Sequence, residues 1–371
     1  MRYFFLLFLG LSIHCYAFLD ITKAGYEQYQ DIWIKGRVAK KANYNHNYCE
    51  KRYQIIDKVL SRYNRPFTML DIGAAQGYYS IRSAEKYPQS VFVMLEGNNK
   101  SYPKIGDQLR SICIDNELSN TVLLQHKIEI DQIGKLSACE HFDVILALNI
   151  FHWFGDNWEL LANHILDMGY DIIIETPPIE KTLSVQNLKI RRDILKFLRK
   201  NQAILLGKVP RHTQEGLFSG IYHVRGLKNK LKMKTWLMES FPYEDHYIIC
   251  DYNQKKLKKI DHRYNSHVRE TEWLPGINIL SFMSYYGSYP SSRHIIKGIT
   301  DLQNVKTSDW MVNNMIVQGL HIEMIDLDDI YHEDKGGRKF SNKMLKKTIQ
   351  FSKARGEKKV SSLFFNFLVQ E

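Results

Sequence analysis

Two carboxylates and a run of small residues mark where this chain could do chemistry. A short apolar run from Phe67 to Ile72 carries Asp71 and ends in Gly73; Ala74, Ala75 and Gly77 follow, and Ser80 to Lys86 reads as helix. A strand, a glycine turn and a helix in that order let the backbone bend sharply and approach a ligand, with the first helical turn offering unpaired N–H groups to polar or anionic atoms. A second run, Val91 to Leu95, ends in Glu96, about 20 residues beyond the turn, where a carboxylate at a strand tip can accept hydrogen bonds from ribose hydroxyls. The pattern is that of a nucleotide-cofactor turn, with Gly73, Ala75, Gly77, Tyr78 and Glu96 as candidate cofactor-binding residues.

Gly73-Ala-Ala-Gln-Gly77 lacks the full G-x-G-x-x-G spacing, which argues against NAD or FAD. It resembles the first motif of class I S-adenosylmethionine-dependent methyltransferases, in which one acidic residue precedes the glycine turn and another ends the second strand, here Asp71 and Glu96. The resemblance continues through Phe142-Asp-Val-Ile-Leu-Ala-Leu-Asn-Ile-Phe-His-Trp-Phe154, similar to the family's fourth strand and following loop, and covers about residues 50 to 226. It implies an α/β fold with a Rossmann-like seven-stranded sheet whose last hairpin is antiparallel, S-adenosylmethionine as cofactor, and methyl transfer as the reaction.

Methyl transfer from a sulfonium is an in-line displacement, so the protein mainly has to hold nucleophile and methyl carbon close, aligned and dry. Tyr78, Tyr79, Phe151, Trp153 and Phe154 lie in or beside the expected cofactor loops, either facing the cation or packing in the core. Asn149 and His152 follow the fourth strand directly and are the candidate catalytic residues, Asn149 also as a cofactor contact. His152 could deprotonate a hydroxyl or amine, or pack and hydrogen-bond locally. The loop lacks the Asn-Pro-Pro-aromatic motif of amino-methylating nucleic-acid enzymes, Thr176-Pro-Pro178 following the fifth strand instead. It also lacks the aspartate of ribose 2′-O-methyltransferases, so nucleic acid is not the favoured acceptor.

The elements that must position these groups follow from the alternation of apolar runs and helical stretches, which indicates a parallel sheet with right-handed crossovers. Strands are expected near residues 67 to 72, 91 to 95, 121 to 125, 142 to 148, 170 to 175, 203 to 209 and 217 to 224. Ligands in such sheets lie at the carboxyl ends of the strands, which selects Gly73 to Tyr78, Glu96 to Asn99, His126 to Glu129 and Asn149 to Phe154. Residues 18 to 62 read as a helical cover, with Tyr53, Ile56, Val59 and Leu60 on one face, and Tyr44 to Tyr48 as a surface loop or substrate lid. Four segments result: 1–17, 18–62, 63–226 as the methyltransferase-like domain, and 227–371 as a smaller basic α+β extension.

The chain has 371 residues and a formal net charge of +11, with 44% hydrophobic and 25% charged residues. That size allows two or three domains and a large core, and the charge favours an anionic partner without fixing any chemistry. Met1-Arg2, an apolar stretch from Tyr3 to Ile13, and Cys15-Tyr-Ala17 read as a secretory signal peptide, with an uncleaved surface anchor or a buried helix as alternatives. The stretch is shorter than the roughly 20 residues a spanning helix needs. The expectation is therefore an exported or membrane-associated protein, or a cytoplasmic one if the leader does not function. The five cysteines form no C-x-x-C pair, so neither a zinc site nor a dithiol motif is indicated, and buried thiols are expected.

In the extension, Lys228, Lys230, Lys232 and Lys234 alternate along one expected strand face, and Lys255, Lys256, Lys258 and Lys259 add to the basic region. Such a face is a solvated sheet edge or an anion-binding surface. Ser308 to Gly319 followed by His321 to Asp329 weakly resembles the catalytic loop and metal-binding aspartate of protein-kinase-like phosphotransferases. The resemblance maps Asp309 as base, Asn314 and Asp326 or Asp328 as magnesium ligands, and Lys256 or Lys258 as a nucleotide lysine. Thr307-Ser308 in place of His-Arg, and the lack of a glycine-rich loop before it, depart from that pattern. A bifunctional methyltransferase-kinase and an inactive secreted binding protein are the alternative functions. For the leading one, leader and basic face together point to an acceptor that is a glycan or another anionic surface molecule.

Overall fold

The computed structural model describes residues 29–43, 48–100, 102–179, 185–210 and 216–226, and in the C-terminal third 232–233, 246–251, 256–261, 267–272, 274–285, 287–291, 294–295, 297–298 and 315–324. The leader, Tyr44 to Asn47, Lys228, Lys230, Lys234, Lys255, Asp309, Asn314, Asp326, Asp328 and the C-terminal tail lie outside the described residues.

The chain enters as a hairpin, β1 (Ile32–Ile34) and β2 (Arg37–Lys40). The helical expectation for 18 to 62 fails here. Ile32 and Ile34 alternate with Trp33 and are buried, a period of two rather than 3.6. Lys35 and Gly36 both take positive φ, 45° and 83°, as a tight hairpin turn requires. Helix α1 (Tyr48–Leu60) does form, burying Tyr53, Ile56, Val59 and Leu60 as their spacing dictates.

All seven expected strands are present: β3 (Thr68–Ile72), β4 (Val91–Leu95), β5 (Thr121–Leu124), β6 (Phe142–Leu148), β7 (Gly169–Thr176), β8 (Ile204–Pro210) and β9 (Phe218–Arg225). Their order in space is β5-β4-β3-β6-β7-β9-β8, parallel from β5 to β7, with β9 antiparallel to both β7 and β8. This is the Rossmann-like sheet of class I methyltransferases, and the strand order reverses between β3 and β6. Helices α2 (Tyr78–Lys86), α3 (Ile105–Asn116), α4 (Ile130–Cys139), α5 (Trp158–Met168) and α6 (Val185–Lys200) connect the strands. Buried on both faces, the central strands read as near-continuous apolar runs. Leu70, Ile72 and Ile145 face one core, while Met69, Val144 and Leu146 face the other with α1 and α2.

The extension is built into this body. Its strand β15 (Gly287–Tyr289) pairs antiparallel with β5 and makes an eighth strand at the sheet edge. Residues of β14 (Ile277–Asn278), α7 (Ile279–Ser284), β16 (Met315–Val317) and β17 (Ile322–Met324) share the core of Leu70 and Ile145. Glu140 anchors the segment by accepting the Asn278 N–H at 3.0 Å and the Ser281 hydroxyl. The expected strand, turn at Gly319 and second strand is found in β16 and β17, and Leu320 N–H donates to Ser119 O at 2.8 Å, docking that hairpin on the loop before β5. A separate four-stranded sheet holds β10 (Lys232–Met233), β11 (His246–Asp251), β12 (Lys256–Asp261) and β13 (His267–Glu272). There Lys256 stands opposite Glu272 and Lys258 opposite Glu270 in the β12–β13 register.

Candidate functional site

At the carboxyl ends of β3 and β4 the glycine turn is pinned in place. Gly73 N–H donates to Leu95 O at 2.9 Å, and φ is positive at Gly73, Ala75 and Gly77. Gly77 is required twice over: its φ is 72°, and a Cβ there would lie 2.6 Å from Leu109 Cδ1. Glu96, 7% exposed, turns its carboxylate back onto the turn. Its Oε2 accepts the Ala75 N–H at 2.8 Å and its Oε1 the Gly97 N–H at 3.0 Å. Burial pushes this carboxyl up to about 7, and the two N–H donors pull it partly back. Each oxygen keeps a further lone pair for another donor.

Asp71 has a different task. Its side chain faces α2, and its Oδ2 accepts the Ser80 hydroxyl at 2.7 Å. Burial raises it to about 7, against the lowering effect of the Ser80 bond and with the Glu96 charge adding to the rise. Asp71 therefore braces strand to helix. Tyr78, read from sequence as a cofactor contact, buries its ring against Tyr53 and Trp33, and its hydroxyl meets Glu50 at 3.2 Å.

One of the N–H groups of the first turn of α2, that of Tyr78, is already taken. Gln30 reaches in from the N-terminal segment, its Oε1 accepting the Tyr78 N–H at 3.1 Å, while its own N–H donates to Gln76 Oε1 at 3.0 Å. Gln30 is buried and acts as the cap that the glycine at position 77 cannot supply.

At the ends of β6 and β7, Asn149 takes φ 57° and donates its N–H to Glu175 O at 3.1 Å. Its Oδ1 is buried and has no hydrogen-bond partner. The Glu175 carboxylate accepts Arg52 Nε at 2.7 Å and Arg52 Nη2 at 2.6 Å, an ion pair buried at both ends. Arg52 Nη1 is also buried without a partner. Sequence reasoning missed this pair, yet both signals are present. Arg52 interrupts the apolar stripe of Tyr48, Cys49, Tyr53 and Ile56, and Glu175 is a carboxylate next to the last position of the buried strand β7.

His152 lies in the 3-10 turn Phe151–Asn157, its ring tilted against Trp153 at 5.0 Å. Phe151 and Tyr79 are buried in the core, Phe154 packs against it, and Trp153 is 75% exposed. Outward from Glu96 an open cleft of about 450 Å³ is lined by Gly97, Asn98, Gln125, His126, Lys127, Gly287 and Ser288. Cys49 and Cys113 are buried free thiols, as expected. Among the described residues no cluster suits a metal ion, and no helix is long and apolar enough to cross a membrane.

No protein-family model matches the chain, and no curated protein sequence matches it. Among solved structures, the bifunctional kinase-methyltransferase WbdD is similar at 14% identity and TM-score 0.45, over 91% of this chain and 86% of that one. Magnesium protoporphyrin IX methyltransferase ChlM from Synechocystis PCC 6803, with bound SAH, is similar at 14% identity and TM-score 0.35, over 48% and 84%. An O-methyltransferase family protein from Burkholderia thailandensis gives 13% identity and TM-score 0.34, over 47% and 57%. Strand order and register define the class I methyltransferase sheet.

Proposed function

We propose that this protein binds S-adenosylmethionine along the carboxyl ends of β7, β6, β3, β4 and β5 and transfers its methyl group to an oxygen or nitrogen acceptor. The observation that carries the reading is Glu96: a carboxylate fixed by two backbone N–H groups beside the glycine turn, with a lone pair left on each oxygen for ribose hydroxyls. The amino-acid end of the same cofactor carries a carboxylate and an ammonium. Arg52 Nη1 is a buried donor and Asn149 Oδ1 a buried acceptor, each without a partner, and both sit on Glu175. That donor and acceptor suit the two charges.

Bound there, the cofactor supplies an electrophilic methyl carbon. The chain's part is to hold ribose and amino-acid ends, to exclude water, and to take a proton from the acceptor. His152, on the loop after Asn149, is the proposed base, acting on a hydroxyl or amine. The acceptor class we propose is a glycan or another anionic surface molecule, reached by export through the leader. The phosphotransferase reading of Asp309, Asn314 and Asp326 rests on sequence spacing alone.

Transfer of radiolabelled methyl from S-adenosylmethionine into a cell-envelope extract tests the reading. Label should enter with the wild type and fall about 100-fold or more with His152→Ala, the size of a general-base contribution. Cofactor binding without label transfer would instead make this a binding protein.

A further inference from the structure

The cleft beside Glu96 is partly walled by the C-terminal extension. Gly287 pairs with Leu124, the last residue of β5, so β15 reaches the carboxyl edge of the sheet, and Gly287 and Ser288 line the cleft with the loops after β4 and β5. Those two loops are pressed together, since a Cβ on Gly97 would lie 2.3 Å from Lys127 N. Phe282 packs beneath the edge strand, its ring 2.3 Å from where a Gly287 Cβ would be.

The polar side chains of the cleft are largely committed elsewhere. Asn98 accepts the Gly106 N–H at 2.9 Å and donates to Asp107 at 2.8 Å. Gln125 donates to the other Asp107 oxygen at 2.6 Å, His126 Nδ1 lies 2.6 Å from Lys127 O, and Lys127 pairs with Glu129 at 3.8 Å. Ser288 differs: its Oγ is buried and has no hydrogen-bond partner. On a residue that lines a cleft, a buried hydroxyl without a partner can turn about its Cα–Cβ bond to meet a ligand donor, which would recover the hydrogen bond it lacks.

Direction follows from the sheet. With the amino-acid end at Arg52 and Asn149 on the β6–β7 side and the ribose at Glu96 on β4, the base continues outward over β5 and its neighbour β15. We propose that the C-terminal extension completes the base-binding part of the cofactor site, with Ser288 Oγ accepting a hydrogen bond from the adenine 6-amino group. The proposal rests on the S-adenosylmethionine reading. It makes the extension part of the cofactor site rather than an appendage.

Calorimetric titrations of the full chain with S-adenosylhomocysteine, 5′-methylthioadenosine, 5′-methylthioinosine and Mg-ATP test it, using wild type, Ser288→Ala and Ser288→Leu. Wild type should prefer the adenosine compound over its inosine analogue about tenfold, the size of one neutral hydrogen bond. Ser288→Ala should lose most of that preference, and Ser288→Leu should weaken both adenosine ligands tenfold or more with unchanged circular dichroism. Unaltered preference in Ser288→Ala overturns the inference while leaving the cofactor reading intact. Wild type that binds Mg-ATP but not S-adenosylhomocysteine assigns the adenine to another nucleotide and overturns both.

Discussion

The Glu96 carboxylate reaches across from the tip of β4 to accept the Ala75 backbone N–H at 2.8 Å, joining the second strand of the sheet to the glycine turn. Turn and carboxylate therefore form one rigid unit, and the carboxylate proposed to hold ribose is aimed before any ligand arrives.

That unit has a pH signature. Asp71 and Glu96 are both raised to about 7 by burial, whereas in the unfolded chain such groups ionise near 4. Between about pH 4 and 7 the unfolded chain holds fewer protons than the folded one, so stability falls as pH rises through that window and levels off above it. Asp71→Asn, which can still accept the Ser80 hydroxyl, should raise stability by roughly 2 kcal/mol at pH 8 and change it little at pH 4. Thermal melts at the two pH values check this; a gain of equal size at both would count against it.

Arg52 and Glu175 are buried as a pair, so each is costly without the other. Arg52→Met or Glu175→Leu alone should lower stability by about 3–5 kcal/mol, and the double substitution should recover most of the loss. Urea unfolding of the four proteins measures the coupling, and additive effects would show that the pair does not act as one.

The same region should recognise the amino-acid end of the cofactor. Asn149→Ala and Arg52→Lys are expected to weaken S-adenosylhomocysteine about tenfold each while leaving 5′-methylthioadenosine, which lacks that end, within about twofold. Equal losses for both ligands would move the amino-acid end elsewhere.

Gly77→Ala should cost about 2–3 kcal/mol, from a left-handed φ and from the 2.6 Å approach to Leu109 Cδ1. Adding Leu109→Ala removes the clash but opens a cavity, so the pair should not restore wild-type stability.

Much of this was legible in the chain because buried parallel strands must be apolar runs and a tight turn must carry glycine. The seven strands, Gly77 and Glu96 were readable on those grounds. Three features were not. The β1–β2 hairpin is only a few residues long and lies beside a true helix, so the helical period of Tyr53 to Leu60 masked the two-residue period of Ile32 to Ile34. Gln30 and Arg52 act on groups 48 and 123 residues away in the chain, contacts that local pattern does not encode. Strand β15 is three residues long, and its place at the sheet edge is set by tertiary packing of Phe282 and Tyr289 rather than by propensity.

Glu96 and the glycine turn are proposed to bind S-adenosylmethionine. Calorimetric titration of the full chain with S-adenosylmethionine, beside Glu96→Ala, tests it most directly. Wild type should bind in the micromolar range, about 8 kcal/mol, and Glu96→Ala should lose at least 100-fold, as expected when charge-assisted ribose hydrogen bonds disappear. Wild type that does not bind, or a Glu96→Ala protein that binds equally well, would contradict it.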